Sequence, residues 1–116
     1  MSAAFKRVLD QIIKIRGVRG ALFVAGEDGL VVADSVMEGI KPNAVAALAG
    51  SLVRRVRRAA ESAGVGTPNF VHLAAATGTV CAVPAQAGML VVVLADPEAN
   101  VGLLRLAMRK AAEVTG

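Results

Sequence analysis

A chain of 116 residues is long enough for one hydrophobic core and too short for two, so a single domain over 1–116 is expected. The apolar fraction of 55% and mean hydropathy of +0.60 are high, yet the longest unbroken apolar run, Met89 to Ala95, falls far short of the roughly 20 residues of a spanning helix, so membrane insertion is not expected. A net charge of +4 and an isoelectric point near 10.0 would attract phosphate backbones, but Tyr and Trp are absent and the three Phe are scattered, leaving no platform on which bases could stack.

Ser2 to Arg16 reads as a first helix, with Phe5, Val8, Leu9, Ile12 and Ile13 at helical spacing, Ser2 as its N-cap and Gly17 as its stop. Its first residues go straight into this amphipathic pattern, with no apolar leader core or cleavage-site pattern, which leads us to expect a cytoplasmic protein. A-L-F-V-A after Gly20 and L-V-V-A from Leu30 are strands joined by the hairpin signal G-E-D-G, and the segment after Asp34 reads as irregular. Pro42 opens a long helix that runs to Ala63 and is stopped by G-V-G-T-P.

Three further strand-like runs begin at Phe70, Thr79 and Met89, separated by hairpin-length loops; the last is apolar at every position, as suits a strand covered on both faces. A third helix follows from about Asn100 to Val114, with acidic residues near its start. The order α-β-β-α-β-β-β-α predicts an α+β sandwich: a five-stranded antiparallel sheet with the central helix on one face and the two terminal helices on the other.

The central helix is the least ordinary element. On a wheel of about 3.6 residues per turn, Val45, Leu48, Ala49, Leu52, Val56, Ala59, Ala60 and Ala63 share an arc that reads as core. The opposite arc carries Ala44, Ala47, Gly50 and Ser51 before Arg54, Arg55, Arg57 and Arg58 appear. A solvated helix back usually carries long charged side chains, whereas small ones let another backbone approach, so this second face is read as covered by a partner.

Catalytic chemistry finds little to work with. The sole histidine, His72, has no Ser, Cys or carboxylate at a recognisable spacing, and Cys81 is alone, which rules out an intramolecular disulfide and a cysteine cage. Glu27 and Asp28 read as solvated residues of a hairpin tip, and the carboxylates suggest no metal site. Gly17-x-x-Gly20 and Gly64-x-Gly66 each precede a strand rather than a helix, so neither is a phosphate loop. The arginine cluster reads as a solvated helix end whose stems cover apolar surface, as a docking site for an acidic partner, or as a patch for an anionic membrane or nucleic acid.

Taken end to end, the chain resembles the Roadblock family of small dynein-light-chain-type domains, which also occur in bacteria and archaea. The likeness rests on I-x-x-I-x-G-V-x-G-A-L-F-V from Ile12, on D-G-L-V-V-A from Asp28, on the Ala-rich central helix, and on V-C-A-V-P followed by M-L-V-V-V-L. The resemblance implies a homodimer whose central helices pack side by side and whose strands from Phe70 pair with each other, removing an exposed sheet edge. It also implies a non-enzymatic platform for a Ras-like small GTPase, of the kind found with polarity-type GTPases in bacteria, with no cofactor.

On this reading Ala44, Ala47, Gly50, Ser51 and Arg54 form the dimer contact together with Val71 and Leu73 of the edge strand, and Arg55, Arg57 and Arg58 meet the partner. Two other readings stay open. One is a small-molecule sensing module, for which the strands offer few polar groups beyond His72, Thr77 and Thr79. The other is a basic nucleic-acid-binding dimer.

Overall fold

The computed structural model describes residues 3–115, with Glu27 described in its backbone alone. Helix α1 spans Ala3–Ile12 and buries Phe5, Leu9 and Ile12; the cap expected at Ser2 lies outside the described residues. The helix ends four residues before Arg16. Beyond Ile12 the chain tightens into turns, with Ile15 N–H donating to Ile12 O at 3.0 Å and Val18 N–H to Ile15 O at 3.0 Å. The stop expected at Gly17 marks instead the end of this turn: Gly17 sits at φ +90°, and its carbonyl accepts from Asp96 N–H at 2.8 Å. That bond ties the turn to the end of the central strand, and the chain must reverse here to enter the sheet.

Strand β1 covers Val18–Ala25 and β2 Leu30–Val36, joined by a short 3-10 turn over Gly26–Asp28 with Gly29 left-handed at φ +66°. They pair antiparallel with a bulge at Phe23/Val24. The pairing runs on through Gly20↔Val36, so the stretch after Asp34 that reads as irregular is strand as far as Val36. Helix α2 is Pro42–Ser62, with Pro42 in the first turn, where its missing N–H goes unmissed. Gly64 at φ +77° turns the chain back so that Val65 N–H reaches Ala60 O at 3.0 Å, closing the helix in the way glycine permits.

Strands β3 (Val71–Ala74), β4 (Thr79–Pro84) and β5 (Met89–Ala95) form the second meander. Helix α3, Val101–Ala112, follows; the Asn100 side chain caps it by accepting from Leu103 N–H at 3.0 Å. The sheet order is β2-β1-β5-β4-β3, every neighbouring pair antiparallel.

The apolar continuity of β5 has a direct cause. It is the middle strand, with Leu90 and Val92 facing the α2 layer and Val91 and Val93 facing α1 and α3. The α2 layer packs Ala46, Ala49 and Val53 on Leu22, Val24, Val80 and Ala82, and the other layer packs Leu9, Leu104 and Met108 around Phe23, Cys81 and Val91. The expected sandwich, one helix on one face and two on the other, is the fold observed.

The β4–β5 turn contains one backbone conflict. Ala87 is the one non-glycine residue with positive φ among those described, at +58°, where its Cβ costs about 1–2 kcal/mol. Ala87 is exposed. Ala87→Gly is expected to raise stability by about 0.5–1 kcal/mol, because relief of the left-handed strain exceeds the unfolded-state entropy that glycine adds. Thermal unfolding followed by circular dichroism should show a midpoint a few degrees higher, and an unchanged or lower one would mean that the turn is not strained.

Candidate interaction surface

The outward face of α2 and the free edge of β3 are the two places where the fold leaves structure uncovered in the way the sequence reading anticipates. Their composition differs from that reading. The buried side of α2 is Ala46, Ala49, Gly50 and Val53, with Val45, Leu52 and Val56 half-buried beside them, whereas Leu48, Ala59 and Ala63 are exposed. The helix is therefore turned by about one residue step, roughly 100°, from the wheel drawn on hydrophobicity alone.

The cause is the β1–β2 hairpin tip. A Cβ on Gly50 would lie 3.1 Å from Gly26 O and 3.3 Å from Gly29 Cα, and one on Gly29 would lie 3.2 Å from Ala46 O and 3.3 Å from Ala47 Cα. Two backbones meet here with no room for side chains between them. Gly50 thus serves a contact inside the chain and is withdrawn from the expected dimer set.

What remains outward in the first half of α2 is Ala44, Ala47, half-buried Ser51 and, between them, Leu48 at 46% exposure. Leu48 is the residue that sequence reasoning assigned to the wrong side. The signal that could have placed it is the spacing Ala46-x-x-Ala49-Gly50-x-x-Val53, whose small residues fit beneath a hairpin.

The arginines separate on the helix. Arg55 and Arg58 are exposed, while Arg54 and Arg57 are half-buried and each is engaged in an interaction of its own. At about 100° per residue, Arg55 and Arg57 point roughly 160° apart, so the four do not form one patch. Arg55 and Arg58 continue the Ala44–Leu48–Ser51 stripe, and Arg57 points away from it. Arg54, expected in the dimer contact, lies on its flank.

Strand β3 is outermost in the sheet and pairs only with β4, through Val71↔Ala82 and Leu73↔Val80. The Val71 side chain is 8% exposed and packs into the α2 layer, and Leu73 is half-buried against the same layer. Their side chains face the α2 layer, so the contact expected of Val71 and Leu73 would be made by the backbone of the edge strand. What β3 offers a partner is its outer row of N–H and C=O groups, four residues long, and the exposed His72 and Ala74.

The chemistry-bearing side chains are dispersed. Cys81 is fully buried, and desolvation pushes its thiol up to about 11, so it stays protonated and unreactive at neutral pH. His72 stands beside Phe70, ring centroids 6.4 Å apart, and the Arg105 guanidinium lies 5.0 Å from the Phe70 ring on its way across from α3. Thr79 is buried, whereas His72 and Thr77 are exposed, and none of the three lines a groove beside α3. Among the described residues no group of three His, Cys, Asp or Glu is placed to hold a metal, and no helix is long and apolar enough to cross a membrane.

Comparison with known proteins gives a consistent picture. The family model of the Roadblock/LC7 domain matches residues 4–95. The protein MJ1340 of Methanocaldococcus jannaschii is 36% identical over 107 residues, 92% of this chain and 92% of its own length. The Roadblock/LC7 domain of Streptomyces avermitilis superimposes with a TM-score of 0.82 at 21% identity, covering 92% of this chain and 90% of that one. MglB of Myxococcus xanthus does so with a TM-score of 0.82 at 19% identity, covering 95% and 89%. At such identities the two structures speak for the fold.

Proposed function

The chain belongs to the Roadblock/LC7 domain family, and on that premise we propose that it is a non-enzymatic, cytoplasmic homodimer that serves as a platform for a Ras-like small GTPase. The observation that carries the reading is the outward face of α2, where Ala44, Ala47 and Ser51 surround an exposed Leu48. Small residues allow a second helix to approach to within the packing distance of about 8–10 Å, and a leucine supplies the apolar area that rewards it. Two copies packed in this way are related by a two-fold axis, so each Leu48 meets the stripe of the other chain. The free edge of β3 lends support, since an antiparallel pairing with its own copy would satisfy groups that otherwise invite aggregation.

The GTPase would bind across the paired helices. Arg55, exposed and next on the same stripe, stands at the rim of such a surface, with Arg58 one turn further on, and cationic residues there suit an acidic partner. No side chain here is assigned a catalytic step, so any effect on hydrolysis would act through the conformation of the GTPase.

The test is light scattering during size-exclusion chromatography, first of the protein alone and then with a co-encoded small GTPase carrying a GTP or a GDP analogue. A dimer that forms a larger complex with the GTP form only is the expected result. A monomer that joins neither form would remove the proposal.

A further inference from the structure

The sheet has a second free edge, and the fold treats it differently from the first. Strand β2 is outermost on the side away from β3, and at seven residues against four it is the longer edge. A row of unpaired N–H and C=O groups of that length is a template for another strand. The ladder to β1 shows which groups face outward. Met37 N–H donates to Arg19 O at 2.9 Å, and hydrogen-bonded and open pairs alternate along antiparallel strands, so Ala21↔Ser35 is a bonded pair while Leu22↔Asp34 and Gly20↔Val36 are open ones. The N–H and C=O groups of Asp34 and Val36 therefore point away from β1.

Toward the hairpin tip the edge is spoiled by its own geometry, because the bulge at Phe23/Val24 leaves Val32 without a partner in β1 and bends the strand there. The regular half, Asp34 to Val36, is where Lys6 arrives. Its ammonium crosses from α1 and donates to Asp34 O at 2.8 Å. Asp10, one helical turn further on, stands 3.6 Å from the same ammonium and holds it over the edge. The helix that carries both is itself fixed on this end of the sheet, where Val8 shares a layer with Val32 and Ala33. Just past the strand Met37 is 54% exposed, apolar area that a covering strand would bury. Beside β3, by contrast, His72 and Ala74 are exposed, and among the described residues no lysine is bonded over that edge.

We propose that Lys6, steered by Asp10, guards the β2 edge against pairing with the β2 edge of a second copy and so limits assembly of this chain to its other contact. The pairing it prevents has a definite register. A two-fold axis through Ser35 sets Asp34 opposite Val36 of the second copy, so that the outward groups of each pair exchange both their bonds and the two Asp34 carboxylates are kept from lying opposite each other. Lys6 of each copy takes one acceptor out of each of those pairs. The need for a guard follows from symmetry. If the chain dimerises through α2 and β3, as proposed above, a second self-complementary edge at the far end of the sheet would join dimer to dimer without closure, and the product would be a fibre. The guard itself stands whether or not that dimer forms.

The test is sedimentation velocity of the full chain over a range of concentrations, with electron microscopy of the largest species. Lys6→Ala is expected to strengthen association by at least about tenfold and to extend the assembly beyond that of the unaltered protein, into open chains where that protein is a dimer. Lys6→Arg, which keeps a cationic donor of similar reach, should sediment as the unaltered protein does. Adding Asp34→Pro to Lys6→Ala should return the assembly to its original size, since proline removes the outward N–H and places its ring on the edge. A variant that aggregates merely because it is unstable cannot be rescued in this way, by a second change that stabilises nothing. Leu48→Glu separates the guard from the platform: in that monomeric background Lys6→Ala should give a dimer and stop there. A Lys6→Ala variant with the assembly of the unaltered protein overturns the proposal, as does association that survives Asp34→Pro. An unaltered protein that is monomeric removes the platform reading alone, and the guard then requires that Lys6→Ala be a dimer.

Discussion

Phe23→Ala is expected to cost about 3–5 kcal/mol, a large part of the roughly 5–15 kcal/mol by which a domain of this kind is stable. Phe23 is fully buried and lies in β1 at the middle of the layer beneath α1. Its ring sits 4.3 Å from that of Phe5 with 32° between the planes, so the substitution removes both the largest buried side chain and its aromatic partner contact. The surroundings cannot collapse into the space. Phe23 is held between β2 and β5 by pairing with Ala33 and Val91, and the bulge that follows it fixes the register of the whole hairpin.

The cavity would also undercut α1, which has only ten residues and buries only Phe5, Leu9 and Ile12. Detachment of α1 before global unfolding is therefore expected, visible as early amide exchange at Val8 and Leu9. Chemical denaturation should give a midpoint shifted by the full amount. Phe70→Ala supplies the comparison, since Phe70 is only half-buried at the margin of the same core, with Arg105 over its ring, and its loss should cost less than half as much. Equal losses at the two positions would mean that the Phe5–Phe23 pair is not the anchor of this layer.

Much of the sheet is legible in the sequence because strand signals are local. Met89 to Ala95 is apolar throughout and proves to be the central strand, and the glycine-rich connections between runs are hairpins. The elements that escaped the sequence are those decided by contacts far along the chain. Ile13 and Ile15 extend the helical spacing of α1, yet the helix stops at Ile12 because Gly17 must reach Asp96.

The central helix is the clearest case. Its first half has alanine on every side, at positions 44, 46, 47 and 49, so hydrophobic spacing hardly distinguishes one orientation from another. What chooses is steric: only Gly50 fits against Gly26 and Gly29, and once it is turned inward Leu48 is turned outward. Of the expected contact residues, Ala44, Ala47 and Ser51 come together on one stripe with Arg55. Gly50 and the side chains of Val71 and Leu73 are drawn into the fold, and the arginines, adjacent in sequence, are distributed around the helix. Adjacency along a helix is not adjacency in space.

That orientation makes Leu48→Glu the decisive substitution for self-association. In a single chain Leu48 is 46% exposed, so a glutamate there keeps its carboxylate in water, and the change in folding stability should stay within about 0.5 kcal/mol. In the proposed dimer the same carboxylate would be buried against the partner helix without a counter-charge, a cost of about 3–5 kcal/mol, and the apolar area of leucine would be lost as well. At about 1.4 kcal/mol per tenfold, dissociation should become easier by at least about 100-fold, turning a dimer at micromolar concentration into a folded monomer.

Ala47→Glu is a less clean probe, because the Ala47 backbone already touches the hairpin tip near Gly29 and a long side chain there can disturb the chain itself. Leu48 has no such neighbour role to lose. Sedimentation velocity together with circular dichroism separates the outcomes. A folded monomer supports the packing of α2 on its copy. An unfolded variant would show that Leu48 belongs to the core after all, and a dimer that persists would move the interface to another face.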